Sequence, residues 1–283
     1  MPFFAARGYT WVGHLYGEFR NNYMGVGIAY PTRRFVPTQV DILRVGDLLP
    51  RPRTPKPTGL LRYTARLKDL VSRLRQTVSG TRPPMDDWTA AQRRFNALVF
   101  AKLQDVRSSG TTFAIGCYHM PCAFTQPGLM TIHAAAVTKK ALSLATTGTP
   151  TPLVLAGDWN IKPGGAQYVM LTTGQAPKEG DPACPALPAG LSPDAFSCTL
   201  PVTLRSAYAE CHDGKEPDCT NYAKVKDEAT FVETLDYIFV SQGVQVLSAD
   251  DLPHRTAIQG PLPNASEPSD HLLLAANLRF YAQ

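Results

Sequence analysis

The apolar run Leu153-Val154-Leu155-Ala156 ends in Gly157-Asp158-Trp159-Asn160, so a strand delivers an acid and an amide two positions apart. Side chains two apart on a strand share a face, which predicts that Asp158 and Asn160 stand side by side. A carboxylate so placed takes a proton from water while the amide fixes the water's orientation, the work needed for in-line attack at phosphorus. The same residues also suit a plain turn with Asn in the left-handed conformation. His119 closes a second apolar run, from Thr112 to Tyr118. It reaches the same rim if the two strands run in one direction, and there an imidazole would contact phosphate oxygens or be satisfied by backbone.

Two further segments carry chemistry near the C-terminus. Asp236 opens the run Asp236-Tyr237-Ile238-Phe239-Val240, and Ser269-Asp270-His271 precedes three leucines. A carboxylate beside an imidazole orients the ring and favours its protonated form. A cationic His against a phosphoryl group stabilises charge that grows in the transition state. Asp270 adds a hard oxygen ligand suited to Mg²⁺. Either segment alone also reads as a helix cap or a loop Asp.

These residues need strands to carry them. Apolar and β-branched runs predict strands over 25–30, 112–118, 153–157, 235–240 and 272–278. Leu60, Tyr63, Leu67, Leu70, Val71, Leu74 and Val78 fall at helical spacing opposite Arg62, Arg66 and Arg73, an amphipathic basic helix. Asp87 is placed to cap a helix whose apolar face carries Trp88, Ala91, Phe95, Leu98 and Val99, and another helix is expected from Leu129 to about Leu144. Pro-rich stretches at 50–57 and 182–201 read as surface loops. Mixed strands and helices without a compositional break predict one α/β domain over 1–283, with a basic insert at about 50–85.

The net charge of +5 is concentrated: residues 51–95 hold 11 Lys and Arg against 3 Asp and Glu. Such a stretch attracts a polyanion or simply forms a solvated helix face. The six cysteines show no Cys-x-x-Cys pair and no zinc-like spacing with His, so free thiols are expected; Cys184 with Cys198 and Cys211 with Cys219 are the pairs that would close if any did. No run is long enough to span a bilayer and no signal sequence opens the chain, which places it in the cytosol by default, with no membrane partner and with protein partners unassigned.

Taken in order, His119, Gly157-Asp158-Trp159-Asn160, Ser206-Ala207-Tyr208, Thr220-Asn221-Tyr222, Leu235-Asp236-Tyr237-Ile238-Phe239 and Ser269-Asp270-His271 resemble the signature of the endonuclease/exonuclease/phosphatase superfamily, in its nocturnin, CCR4 and Angel branch. Trp159 stands where that branch usually has Phe. The resemblance implies a DNase I-like α/β/β/α sandwich of two mixed sheets and a Mg²⁺-dependent phosphoesterase, with Mn²⁺ as a substitute ion. It assigns Asp158 to the attacking water with Asn160 assisting, His271 paired with Asp236 to the scissile phosphate, His119 to a second phosphate contact, and Asp270 to the metal. Asn221 would bind substrate or support the site through its loop, and His133 is read as structural.

The superfamily also carries an Asn on a first strand and a Gln-Glu motif on a second, ahead of the position of Gly8. The expectation is that these strands are missing here, that Glu18 is the one nearby acid able to substitute, and that the 283 residues alone hydrolyse feebly until an upstream segment is restored. The implied activity is 3′-5′ exoribonuclease or nucleotide phosphatase, on RNA or a nucleotide phosphate. A catalytically silent binding or scaffolding relative is the alternative, and an RNA-binding module built on the basic helix is a third reading.

Overall fold

A computed structural model describes residues 2–16, 24–52, 85–108, 110–224 and 226–281. Glu18 and the basic helix expected over 60–78 lie outside the described residues. The strands are β1 (Tyr9–Tyr16), β2 (Met24–Pro31), β3 (Phe35–Arg44), β4 (Ala97–Asp105), β5 (Thr112–Cys117), β6 (Leu153–Asp158), β7 (Arg205–Ser206), β8 (Asn221–Ala223), β9 (Phe231–Glu233), β10 (Asp236–Val240), β11 (Val244–Ala249) and β12 (Ala276–Phe280). The α-helices are α1 (Pro2–Ala5), α2 (Val45–Leu48), α3 (Asp87–Arg93), α4 (Pro127–Thr146), α5 (Ala166–Thr173) and α6 (Ala207–Cys211).

A six-stranded mixed sheet in the order β3-β4-β5-β6-β10-β7 forms the centre. Only its β5–β6 pair is parallel. Alternation along each strand divides the side chains between two faces. Leu98, Phe100, Leu153, Leu155, Tyr237 and Phe239 turn to the core shared with α4 and α3. Val99, Ala101, Leu103 and Phe113 face the antiparallel ribbon β1–β2, and Val154 and Val240 face the ribbon β11–β12. The second β layer is thus two ribbons that share no ladder among the described residues. Phe4 of α1 stacks on Trp11 at the outer side of the first ribbon. This is the expected α/β fold, layered as helix, sheet, ribbons.

Three local expectations change. The helix capped near Asp87 ends at Arg93, and its cap is Asp86, whose carboxylate accepts from Thr89 N at 2.8 Å. Leu98 and Val99 belong instead to β4, which is buried on both faces. A strand of that kind carries an unbroken apolar run, and short apolar runs mimic helical spacing. The last strand begins at Ala276 rather than Leu272, because residues 269–272 are drawn across β8 by its ladder. Helix α4 starts earlier than expected, with Pro127 in its first turn, where a missing N–H costs nothing. The six cysteines are free thiols. Among the described residues no helix is long and apolar enough to cross a membrane.

Candidate active site

The site grows from three adjacent strand ends. Parallel pairing of β5 with β6 continues past β5, with Tyr118 N bonded to Ala156 O at 3.1 Å and Met120 N to Asp158 O at 2.8 Å, so His119 is delivered beside Asp158. Only glycine fits at 157: its φ is +143°, and a Cβ there would lie 1.9 Å from Tyr118 O. On the other side, antiparallel β10 sets Asp236 directly opposite Asp158. Trp159, fully buried, packs edge-on against Tyr118 and Phe239 and anchors the turn from below.

Asn160 reaches the site by a turn rather than by strand alternation, which corrects the shared-face expectation. Its φ is +48°, in the left-handed region Asn tolerates, and its N–H donates to Asp158 Oδ1 at 2.9 Å. Its side-chain amide donates to Met120 O at 2.9 Å and to Asp158 Oδ2 at 3.3 Å. Asn160 therefore holds Asp158 between the β5 and β6 extensions.

Residues 269–272 cross the open end of the sheet as a strap. Tyr222 N bonds Asp270 O at 2.9 Å, Leu272 N bonds Thr220 O at 2.7 Å, and the Asn221 amide donates to Asp270 O at 3.2 Å. Asn221 is buried beneath the strap, so it braces Asp270 and His271 from behind. His271 is thereby aimed at Asp236, its Nδ1 lying 2.7 Å from Asp236 Oδ2. A carboxylate only accepts, so Nδ1 carries the proton. The same oxygen accepts from Thr220 Oγ1 at 2.7 Å, and Thr220 Oγ1 in turn accepts from Leu235 N and Asp236 N at 2.9 and 3.0 Å. Thr220 belongs to the Thr220-Asn221-Tyr222 motif, but no spacing along the chain points to this contact 16 residues away.

His119 Nε2 lies 3.3 Å and His271 Nε2 4.0 Å from one atom, Asp158 Oδ2. All six residues expected at the cleft, His119, Asp158, Asn160, Asp236, Asp270 and His271, belong to this network, with Asp270 close enough to perturb both Asp158 and His271. Burial, then the facing Asp236, pushes the Asp158 carboxyl up to about 7. Burial pulls the His271 ring down, but the bond to Asp236 and the surrounding carboxylates outweigh it and raise the ring to about 9. Burial and the neighbouring His271 lower His119. His119 thus faces Asp158 at 3.3 Å with its ring held towards the neutral form, whereas His271 and Asp236 form the ion pair.

His133 is placed elsewhere, in the core of α4. It is fully buried, with Nε2 3.0 Å from Ala91 O and Nδ1 2.7 Å from the Tyr118 hydroxyl. Among the described residues no group of three or more His, Cys, Asp or Glu side chains is arranged to hold a metal ion. Asp270 lies near enough to Asp158 and His271 to act on both electrostatically.

Comparison with known proteins places this geometry. A stretch of 135 residues, 46% of the chain, is 32% identical to the CCR4-Not complex 3′-5′-exoribonuclease subunit Ccr4 of Coccidioides immitis (strain RS) and covers 16% of that protein. The Ccr4 subunit of Aspergillus clavatus is 33% identical over 135 residues, with 19% of its length covered. The matches thus span under a fifth of the length of these relatives. The crystal structure of ANGEL2, a 2′,3′-cyclic phosphatase, in complex with adenosine-2′,3′-vanadate is similar in fold at a TM-score of 0.69 and 18% identity, over 99% of this chain and 77% of that one. The human nocturnin catalytic domain with bound sulfate gives 0.57 and 17%, over 99% and 75%. These likenesses fall in the branch that the motifs resemble. The Endonuclease/Exonuclease/phosphatase family model matches residues 2–271, and the chain belongs to that family, whose members are hydrolases acting on phosphoester bonds.

Proposed function

We propose that the chain hydrolyses phosphodiesters of RNA from the 3′ end, with Asp158 as general base and His271 as the charged phosphate contact. The observation that carries this reading is the convergence of His119 Nε2 and His271 Nε2 on Asp158 Oδ2 in front of Asp236. A carboxylate near pH 7 in its proton affinity takes a proton from water as the water oxygen bonds to phosphorus. The bond from phosphorus to the leaving oxygen then breaks, and solvent protonates that oxygen. The His271 cation, fixed by Asp236, stabilises the negative charge that grows on the phosphoryl oxygens, and His119 offers a second contact. Asn160, Thr220 and Asn221 are positioning residues that act through Asp158, Asp236 and the strap.

Divalent-metal dependence is general in this family. The donor chemistry suits an ion shared with substrate rather than an all-protein cage: Mg²⁺ is held by one or two carboxylates plus phosphate oxygens, and Asp270 is the carboxylate that would hold it. Bound there, Mg²⁺, or Mn²⁺ in its stead, would neutralise charge on the phosphoryl group.

RNA as substrate is supported by the Ccr4 similarity and by two aromatic rings on the segments flanking the site. Phe124, after His119, and Phe231, before Asp236, have centroids 6.0 Å apart, with the Lys162 ammonium 5.7 Å from the Phe231 ring. Such rings stack bases at about 1–3 kcal/mol each. The test is 3′-labelled and 5′-labelled oligo(A) with Mg²⁺. Stepwise shortening from the 3′ end supports the reading. Release of inorganic phosphate from nucleotides without shortening assigns a nucleotide phosphatase, and binding without any turnover assigns a silent relative.

A further inference from the structure

We propose that a cavity of about 420 Å³ beside His119 is a second nucleotide subsite, receiving a phosphorylated nucleotide portion of the substrate next to the one being cleaved; this rests on the phosphoesterase reading above. The cavity lies between the end of β1, the end of α3 and the residues following α3, with Tyr16, Met85, Arg93, Arg94, Phe95 and Asn96 in its wall. Its volume falls in the range of about 300–1,000 Å³ typical of small-molecule sites.

The cavity adjoins the active site through two contacts. The Asn96 amide donates to His119 O at 2.7 Å, and the Tyr16 and His119 rings are 6.4 Å apart between centroids. A ligand held at His119 and His271 therefore extends into the cavity past one layer of side chains. Charge suits a phosphate there. Arg34, Arg44, Arg205 and Arg255 each pair with a carboxylate, whereas neither Arg93 nor Arg94 has a carboxylate partner among the described residues. A guanidinium without a carboxylate is a ready two-pronged donor to phosphate oxygens.

Tyr16 adds a donor to the wall. It is 5% exposed, its hydroxyl makes no hydrogen bond of normal length among the described residues, and the Asn96 side chain is the polar group close to it. Burial holds the phenol protonated, so an acceptor on a bound nucleotide would complete its bonding beside Asn96. Phe95 and Met85, 52% and 38% exposed, add the apolar surface that a base face covers.

The test uses the full chain, fluorescein-labelled hexa-adenylate followed by anisotropy over a salt series, and hydrolysis of bis(p-nitrophenyl) phosphate as a readout confined to the cleft. Arg93→Ala/Arg94→Ala should weaken hexa-adenylate binding about tenfold, as expected for lost charge-assisted bonds. It should also lower the salt slope by about 1–2, with hydrolysis of the small ester unchanged. Tyr16→Phe should weaken binding severalfold while leaving or raising the melting temperature; a merely structural hydroxyl would lower it. Competition by adenosine 3′,5′-bisphosphate that is lost in the double variant assigns the subsite to a terminal phosphate, and competition retained assigns it to the next nucleotide of a chain. Because anisotropy requires no turnover, failure of the phosphoesterase reading would be seen separately. Unchanged affinity and salt slope in the arginine double variant would overturn the proposal.

Discussion

His271 and His133 lie on either side of the Tyr118–His119 strand end, and their surroundings drive them to opposite ends of the histidine range. His133 hydrogen-bonds only neutral groups, a backbone carbonyl and a phenol, with the cationic Arg94 and Arg44 near enough to disfavour its charge further. Ala91 O can only accept, so Nε2 carries the proton and Nδ1 accepts from Tyr118. Burial then pulls the ring down to about 4, a neutral strut. His271 is also part-buried, but it meets Asp236 at 2.7 Å with Asp158 and Asp270 nearby, and it is raised to about 9. The difference teaches that partners, not burial alone, decide whether a histidine is mortar or machinery.

The largest expected effect breaks the machinery side. His271→Ala should cost about 10²–10³-fold in phosphoester turnover, in the range of a lost transition-state contact, while the melting temperature moves little. His133→Phe should do the reverse. It leaves the Tyr118 hydroxyl and Ala91 carbonyl unpaired, at about 2–4 kcal/mol in stability, with turnover per folded molecule retained. Denaturant unfolding alongside turnover separates the two.

A pH series sharpens the comparison on the mortar side. His133 has a folded value of about 4 against 6.5. Its contribution is complete above 6.5 and is lost as pH falls from 6.5 towards 4, where the unfolded chain binds the proton first. The His133→Phe variant should lack that part of the acid limb.

Asp158 carries the opposite sign to an ordinary paired acid. Its folded value is raised from 3.8 to about 7, so stability declines as pH rises through that window and stays lower above it. Asp158→Asn should therefore stabilise the fold by on the order of 1–3 kcal/mol at pH 8 and by little at pH 4. A variant equally stable at both, or less stable at pH 8, would contradict the desolvated, charge-crowded description of the cleft. The smallest effect concerns Thr220. Thr220→Val removes one donor to Asp236 and the acceptor for two backbone N–H groups. We expect a loss of about 1 kcal/mol of stability and a severalfold fall in turnover, both measurable on the same preparation.

How much of this was legible in sequence follows from where the physics is local. Strands β5, β6 and β10 are apolar runs bounded by the very residues that form the site, so pattern placed His119, Asp158 and Asp236 at strand ends, while their common site followed from the order of the motifs and the resemblance they carry. Strands β1 and β3 are half-exposed and mix polar with apolar residues, which hid them. The run through Leu98 and Val99 read as helix because a doubly buried strand has no alternation to show. Thr220, Asn96 and the bracing role of Asn221 act through contacts with residues 16, 23 and 49 positions away, which no spacing rule reaches.

The central claim is that Asp158 drives phosphoester hydrolysis in this cleft. Its most direct test is single-turnover cleavage of 5′-labelled oligo(A) in Mg²⁺ with protein in excess, so that even slow hydrolysis is counted, comparing the unaltered chain with Asp158→Asn and His133→Phe. Shortening from the 3′ end should fall at least about a hundredfold in Asp158→Asn, as for loss of a general base, and persist in folded His133→Phe. Cleavage by Asp158→Asn at the unaltered rate would contradict this role.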